Sequence, residues 1–325
     1  RDDSVLENYN AEIIENIGVS DFGKSRKGIN PVNISYTKLP SQLDSSEIKM
    51  NFWDKRKNLV LPLKLTPLLA EEIGMQLGDG FLSNARTEIR IKGNNFDERD
   101  YYDFFVRQLY KKLYNVSINL KQYDSTYGFE LSSQGLWKFK VNTLGLNPGK
   151  KESLNVPAIV KVNDPEILAA FIRGLFDTDG NVYFQSKYGR KKVYPCLSIS
   201  QKGYSLLKEV SEILEMLGFN PYFYYDIKRD DSKVILYGIT QLKYYAQLIG
   251  WNNPKHLNKV KEWRKIYDTG SLNFEGLPSE EHWLESRIVD PGTRVRSSPG
   301  VLKFSKENYL SQEINGVIRN ANTEC

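Results

Sequence analysis

Apolar residues recur with helical spacing in two stretches of the chain, LAEEIGMQLGDGFLS at residues 69–83 and AAFIRGLFDTDGNVYF at residues 169–184. Apolar positions three or four residues apart predict a helix that packs one face against a core. A capping residue followed by proline precedes each stretch, Thr66 in one and Asp164 in the other, which is typical of a helix N-terminus. Because both stretches also contain Asp-Gly near their ends, the pattern predicts two similar helices.

The sequence after each of these helices repeats in the same order. Three further blocks match, namely residues 90–92 with 200–202, residues 102–120 with 204–223, and residues 136–150 with 242–256. Four blocks in one order indicate a duplicated unit, and each unit predicts a helix, two strands, a helix, two strands and a helix. We therefore expect an α+β fold of two pseudo-symmetric αββαββα repeats. The predicted divisions are an N-terminal extension at 1–60, a first repeat at 61–155, a second repeat at 156–268 and a C-terminal extension at 269–325.

Composition narrows the classes of protein to consider. The chain has 325 residues, of which 40% are hydrophobic and 12% aromatic, so it is long enough to bury a sizeable core in two units. Two cysteines and two histidines argue against a disulfide framework, a thiolate zinc site and a histidine base. The formal net charge is only +5, so a surface that binds nucleic acid would have to be formed by local clusters of basic residues.

The chain has no predicted membrane segment. No apolar run approaches the roughly 18 residues that a membrane span needs, and the sequence RDDSVLENYN lacks the apolar core of a signal peptide. We therefore expect a soluble, intracellular protein, in the cytoplasm or in an organelle.

Asp79 and Asp179 stand at the C-terminal ends of the two predicted helices, where the helix dipole disfavours a carboxylate. A single Asp-Gly is ordinary turn chemistry, but its recurrence in both repeats favours a functional role. Gly74, Gly78 and Gly174 cost roughly 1 kcal/mol each in a helix, and close packing of the two helices would offset that cost. Such packing would place the two carboxylates around a divalent cation, and an oxygen-only Mg²⁺ site predicts phosphodiester hydrolysis.

These helices resemble the LAGLIDADG family, and specifically its single-chain members with two motifs. The nine-residue family motif corresponds to EIGMQLGDG at 72–80 and IRGLFDTDG at 172–180. The second motif is the closer match, with Asp177 and Asp179 at the two acidic positions of the family. The first motif has Leu77 in place of the inner acid but keeps Asp79, so the essential last acid is present in both. The resemblance covers roughly residues 61–268.

The resemblance implies a DNA endonuclease in which the motif helices form the interface and antiparallel strands form a saddle on duplex DNA. It also implies Mg²⁺ or Mn²⁺ at a site formed by Asp79, Asp179 and the preceding residues Gly78 and Thr178. A basic residue at the end of the second strand would assist near the scissile phosphate, and Gln201 would order a catalytic water. The matching lysines are Lys92 and Lys202, although a lone lysine is commonly a solvated surface charge.

Long polar side chains alternate along the strands after each motif, as a surface that reads a DNA groove requires. In the first repeat the predicted contacts are Asn84, Arg86, Glu88 and Arg90. In the second repeat they are Asn181, Tyr183, Gln185, Lys187, Arg190, Lys191 and Lys192. Four basic residues among the six at 187–192 suit phosphate neutralisation. A merely solvated antiparallel face would show the same alternation.

The leading interpretation is an intron-encoded homing endonuclease that acts as a monomer on a long, non-palindromic duplex. An RNA-splicing maturase or a non-cleaving DNA-binding regulator of the same fold are the alternatives. Retention of both Asp79 and Asp179 favours the nuclease. An intein is not expected, because no His-Asn pair precedes the terminal Cys325.

Overall fold

A computed structural model of the protein describes residues 42–151, 154–187 and 190–269. It describes the backbone alone at residues 187, 190–193, 264 and 266–269. Within these ranges the chain is a mixed α+β structure in which one order of helices and strands occurs twice, so the predicted fold class is confirmed. No helix in the described part of the chain is long and apolar enough to cross a membrane.

The first repeat contains helices and one antiparallel sheet of four strands. Its elements, after a short helix α1 (Phe52–Arg56), are α2 (Pro67–Gly78), β1 (Gly80–Leu82), β2 (Glu88–Asn94), a π-helical stretch (Tyr101–Val106) that continues as α3 (Arg107–Tyr114), β3 (Lys121–Tyr123), β4 (Thr126–Ser132) and α4 (Gln134–Lys138) with a π-helical turn (Phe139–Thr143). The strand order is β1-β2-β4-β3. A 3₁₀ turn (Ala158–Val160) follows and leads into the second repeat.

The second repeat has the same order of elements and one additional helix. These are α5 (Pro165–Asp179), β5 (Gly180–Lys187), β6 (Arg190–Lys202), α6 (Ser205–Met216), β7 (Tyr222–Asp226), β8 (Asp231–Tyr237), α7 (Ile239–Leu248) and α8 (Pro254–Thr269). Its antiparallel strand order, β5-β6-β8-β7, reproduces that of the first sheet. The duplication predicted from the sequence is therefore present in the structure.

The starts of α2 and α5 confirm the predicted helix caps. The Thr66 hydroxyl accepts a hydrogen bond from the Leu69 amide at 3.3 Å, and the Asp164 carboxylate accepts one from the Glu166 amide at 2.9 Å. Each proline stands at the first helical position, where its missing amide hydrogen costs nothing. The caps fix where each motif helix begins, and hence which residues reach its far end.

Helices α2 and α5 pack against each other at very short distance, as the helical glycines predicted. A Cβ atom on Gly74 would overlap the carbonyl oxygen of Phe171, and one on Gly174 would overlap the carbonyl oxygen of Glu71. A Cβ atom on Gly78 would overlap the Thr178 hydroxyl. Only glycine permits this approach, so the three glycines bring the C-terminal ends of the two helices together.

Charged side chains are buried on both sides of this helix pair. Glu72 accepts hydrogen bonds from Tyr110 at 2.7 Å and Tyr114 at 2.9 Å, and it forms a fully buried ion pair with Lys140. Glu71 joins the two repeats through an ion pair with Arg173 at 2.7 Å. Each of these buried carboxylates has a cationic partner and further hydrogen-bond donors. Their negative charges are therefore compensated inside the protein.

Part of the predicted N-terminal extension packs onto the first repeat. Leu43 and Leu59 are buried in the main core, and the buried carboxylate of Asp54 accepts from the Ser133 hydroxyl at 2.7 Å and the Gly135 amide at 2.8 Å. Residues 1–41 and 270–325, which hold the rest of the two predicted extensions, lie outside the described residues.

Candidate active site

The carboxyl groups of Asp79 and Asp179 lie side by side where α2 and α5 end. Asp79 is the residue after the last turn of α2, Asp179 closes α5, and a Cβ atom on Gly78 would lie 3.4 Å from the Asp179 carboxyl carbon. Burial, together with the negative charge of Asp179, raises the pKa of Asp79 to about 7. Burial also raises the pKa of Asp179 to about 6. The structure thus brings together the two acids that the sequence singled out.

Two lysines that the sequence analysis did not select lie next to this acid pair. Lys151 donates to the Gly78 carbonyl oxygen, and Lys255 forms an ion pair with Glu98. The positive charges of both lysines lower the pKa values of Asp79 and Asp179. A signal for them was present, because each repeat ends with an Asn-Pro pair followed closely by lysine, at 147–151 and at 253–255.

Glu98 is a third acid close to the pair, and the sequence analysis missed it as well. Its buried carboxylate accepts from the Asn253 side-chain amide at 3.0 Å and the Asn94 backbone amide at 2.5 Å. The negative charge of Glu98 raises the pKa of Asp79. A Cβ atom on Gly93 would overlap the Glu98 carboxylate, so glycine at that position makes room for it.

Tyr102 and Gln201 hold the two aspartates in different ways. The Tyr102 hydroxyl donates to Asp79 Oδ2 at 3.2 Å, whereas the Gln201 amide donates to Asp179 Oδ2. Gln201 therefore lies at the acid pair, which is the place that its predicted role in ordering water requires.

Strand register corrects the predicted match between residues 90–92 and residues 200–202. Gly80 pairs with Ile91 in the first sheet, and Gly180 pairs with Ile199 in the second. Lys92 therefore corresponds to Ser200, and Lys202 corresponds to Asn94, a shift of two residues. The prediction that the two lysines occupy equivalent places was wrong, because the hairpins differ in length and the blocks were matched by residue type.

Lys92 and Lys202 both bind carboxylates on their own sheets. Lys92 Nζ lies 2.6 Å from Glu130 and 3.5 Å from the centre of the Tyr123 ring. Lys202 Nζ lies 2.9 Å from Asp231 and is largely exposed. Neither lysine has a described contact with the acid pair, so their role near a scissile phosphate stays a prediction.

The remaining predicted metal-site residues have other hydrogen-bond partners in this structure. The Gly78 carbonyl accepts from Lys151, and the Thr178 hydroxyl donates to the carbonyl oxygens of Gly174 at 3.1 Å and Leu175 at 3.0 Å. Among the described residues, no three His, Cys, Asp or Glu side chains are grouped to hold a metal ion. Two carboxylates whose pKa values are raised by burial still fit a hard divalent cation, because its charge would favour their ionised forms.

The predicted DNA contacts of the first repeat divide between a loop and a strand. β1 ends at Leu82, so Asn84 and Arg86 lie in the exposed loop before β2 rather than on an alternating strand as predicted. Glu88 is 8% exposed and is paired with Arg90 on β2. The short β1 strand leaves too few residues for a long hairpin, which is why the predicted alternation starts only at Glu88.

The long hairpin predicted in the second repeat is present. Asn181, Tyr183 and Gln185 alternate along β5 with the inward-facing Val182 and Phe184, and β5 pairs with β6 from Gly180 to Lys187. The backbone at Lys187, Arg190, Lys191 and Lys192 belongs to these two strands, and their side chains lie outside the described part.

Two of the solved structures to which the chain is similar are DNA complexes. The crystal structure of I-DmoI in complex with DNA and Mn is 19% identical, covers 57% of this chain and 98% of that one, and gives a TM-score of 0.41. The meganuclease I-SmaMI bound to uncleaveable DNA is 12% identical, covers 62% of this chain and 90% of that one, and gives a TM-score of 0.42.

The curated relatives to which the chain is similar include one that matches over a limited stretch. It is the isomerizing glutamine–fructose-6-phosphate aminotransferase of Methanocaldococcus jannaschii, which is 24% identical over 209 residues. The match covers 62% of this chain, and the chain spans only 18% of the length of that relative.

The family model of the LAGLIDADG-like domain matches residues 166–250, which run from the start of α5 to just past α7. Residues 166–250 are thus similar to the LAGLIDADG-like domain, and the resemblance to the LAGLIDADG family that the two motifs indicated is confirmed.

Proposed function

We propose that the protein is a site-specific endonuclease that hydrolyses both strands of duplex DNA with a divalent metal ion held by Asp79 and Asp179. The observation that carries the proposal is the convergence of two motif helices, one from each repeat, on a single pair of half-buried carboxylates. Carboxylates raised to pKa values of about 7 and about 6 are poised to exchange protons for a metal ion near neutral pH. No covalent intermediate with the protein is needed.

The chain supplies the other parts of this chemistry around the acid pair. The Gln201 amide and the Tyr102 hydroxyl hold one aspartate each, so both carboxylates keep a fixed direction. Lys151 and Lys255 add positive charge where a phosphate of the substrate would have to approach. When bound, Mg²⁺ or Mn²⁺ would supply Lewis-acid stabilisation of the attacking and leaving oxygens.

The two sheets supply the surface for the substrate. Each sheet packs one face on the core and turns the other outward, with Arg90 and Lys92 on one outer face and Asn181 and Gln185 on the other. We assign the predicted base and phosphate contacts to these faces and to the exposed loop that holds Asn84 and Arg86. In this proposal the duplex lies across both sheets with its scissile phosphates over the acid pair.

The function is tested by exposing the purified chain to a randomised duplex library with Mg²⁺ and sequencing the ends that appear. The expected result is one family of double-strand ends that shares a long consensus. The matched control is a variant with both Asp79→Asn and Asp179→Asn, which should produce no ends. A library that stays intact in Mg²⁺ and in Mn²⁺, or equal cutting by the variant, would contradict the proposal.

A further inference from the structure

The two aspartates of the acid pair have different neighbours in the two repeats. Strand register makes Gly93 of β2 the counterpart of Gln201 of β6. Asp179 receives a hydrogen bond from the Gln201 amide, whereas glycine supplies no side chain at the equivalent position in the first repeat. A Cβ atom on Gly93 would lie 2.9 Å from Asp79 Oδ2 and would overlap the Glu98 carboxylate. A buried carboxylate therefore lies beside Asp79, where the second repeat has an amide beside Asp179.

Each aspartate also lies near a lysine of the other repeat. The charge of Lys255 lowers the pKa of Asp79 more than the charge of Lys151 does, and for Asp179 the order of the two lysines is reversed. Because the interaction of two charges weakens with distance, Lys255 belongs to the Asp79 side of the acid pair and Lys151 to the Asp179 side.

Glu98 compensates the charge of Lys255. The two side chains form an ion pair in which Lys255 is 19% exposed and Glu98 is 4% exposed. The Glu98 carboxylate also accepts from the Asn253 side-chain amide at 3.0 Å. Separating the pair would leave a buried carboxylate without its cation, which is costly, so we expect the pair to persist when a substrate binds. Lys151 instead donates to an uncharged group, the carbonyl oxygen of Gly78.

A phosphate over the Asp79 side would face a lysine whose charge is already compensated. Phosphodiester hydrolysis develops additional negative charge on the phosphate oxygens, and a positive charge held close to them stabilises the transition state. A lysine paired with a carboxylate supplies less of this stabilisation than one bound to a carbonyl oxygen. The two sides of the acid pair therefore offer unequal charge to the same chemical step.

We infer that Glu98 is a positioning residue that restrains Lys255, so that the DNA strand over the Asp79 side is cut more slowly than the strand over the Asp179 side. This inference rests on the proposed function, since it concerns the rates of the two cuts at the same acid pair. The reaction then proceeds through a duplex that is nicked in one strand.

The test measures the two cuts separately in a single turnover at saturating Mg²⁺, on the selected duplex with a different fluorophore on each strand. Wild type should cut one strand roughly tenfold faster than the other, because a unit charge close to the reacting phosphate changes the rate by at least this order. Nicked duplex should accumulate. Glu98→Gln removes the negative charge and keeps the size of the side chain. It should accelerate the slow strand by about the same factor and leave the fast strand nearly unchanged.

Two further variants separate this effect from a structural one. Glu209 of α6 has similar partners outside the acid pair, because it accepts from Lys161 and from the Val156 amide at 2.6 Å. Glu209→Gln is therefore the matched control and should change neither rate. The double variant Glu98→Gln, Lys255→Met removes both charges of the ion pair. It should return the slow strand to nearly its wild-type rate, since the acceleration requires the uncompensated lysine.

Equal rates for the two strands in wild type would overturn the inference, and this result does not depend on how any variant folds. A slow strand that stays slow in folded Glu98→Gln, or an acceleration that persists in the double variant, would overturn it as well. Both of these outcomes leave double-strand cleavage by wild type intact. If wild type cuts neither strand, the proposed function fails together with this inference.

Discussion

The carboxyl groups of Asp79 and Asp179 are held in the folded protein under conditions that favour their protonated forms. Burial is the main cause for both residues, and for Asp79 the neighbouring charges of Asp179 and Glu98 add to it. Folding therefore costs free energy whenever both groups must be ionised without a cation between them. In the proposed function, a divalent ion bound between the two carboxylates would remove this cost, so metal binding would stabilise the folded protein.

This linkage gives a prediction for stability against pH in metal-free buffer. A carboxyl group with a pKa of 3.8 when unfolded and about 7 or about 6 when folded binds more protons in the folded state between those values. The stabilisation is therefore fully present below the unfolded pKa of 3.8, falls by about 1.4 kcal/mol per pH unit for each group as the pH rises toward the folded pKa, and levels off above it. Urea unfolding in EDTA should show wild type losing stability from pH 5 to pH 8 relative to the Asp79→Asn, Asp179→Asn double variant. Parallel pH curves for the two proteins would contradict the assignment.

At the level of single residues, the sequence was sufficient to predict the acid pair and Gln201 but not their neighbours. Asp79 and Asp179 could be found because they recur at one position of a repeated motif. Glu98 could not, because it lies outside the motif and meets Asp79 only where Gly93 leaves room for it. The proximity of Glu98 to Asp79 depends on the register of the strands, and the register could not be predicted from the residue types alone.

Among the elements, the helix pair α2–α5 determines the geometry of the site. Gly74→Ala adds one methyl group that would overlap the Phe171 backbone oxygen, which cannot move without displacing α5. We expect this variant to lose about 1–3 kcal/mol of unfolding free energy, measured by urea denaturation, and to lose cleavage as the two helix ends separate. Gly145→Ala is a useful comparison, because its Cβ atom would meet nothing within 4 Å and it bears only the strain of a φ of +73°. Full stability and full cleavage in Gly74→Ala would contradict this account of the interface.

The pattern of apolar positions predicted the helices, their caps and the second hairpin, since each depends on local sequence. It failed in the first hairpin, where β1 is only three residues long and Asn84 and Arg86 fall in a loop. It also gave no indication of the π-helical stretch at Tyr101–Val106, because helical spacing is nearly the same in both helix types. These features are set by packing between elements rather than by periodicity within one.

For the whole molecule, the duplication supplies both halves of a site in one polypeptide. The acid pair combines Asp79 of the first repeat with Asp179 of the second, so no second copy is needed to complete it. We predict one protein per duplex on a non-palindromic target. Analytical ultracentrifugation with labelled duplex should show a 1:1 complex, and footprinting should show unlike half-sites. Two proteins on a symmetric footprint would contradict this prediction.

The basic tip of the second hairpin gives a prediction about salt dependence. Neutralising Lys187, Arg190, Lys191 and Lys192 together should weaken binding to all sequences and flatten the dependence of log K on log salt. The expected change in slope is about 0.9 for each DNA phosphate that these side chains would otherwise neutralise. Neutralising the exposed residues Lys111 and Lys112 of α3 is the matched control and should leave the slope unchanged. An unchanged slope in the hairpin variant would mean that this tip does not bind phosphates.

The most direct test of the central claim is cleavage and binding by Asp79→Asn and Asp179→Asn measured separately on the selected duplex. Each change removes one carboxylate from the acid pair and leaves both outer sheet faces unaltered. We predict that each variant binds the duplex with nearly wild-type affinity and makes no double-strand break in Mg²⁺. Full double-strand cleavage by either variant would contradict the account, because it would show that the two repeats do not share their carboxylates in one site.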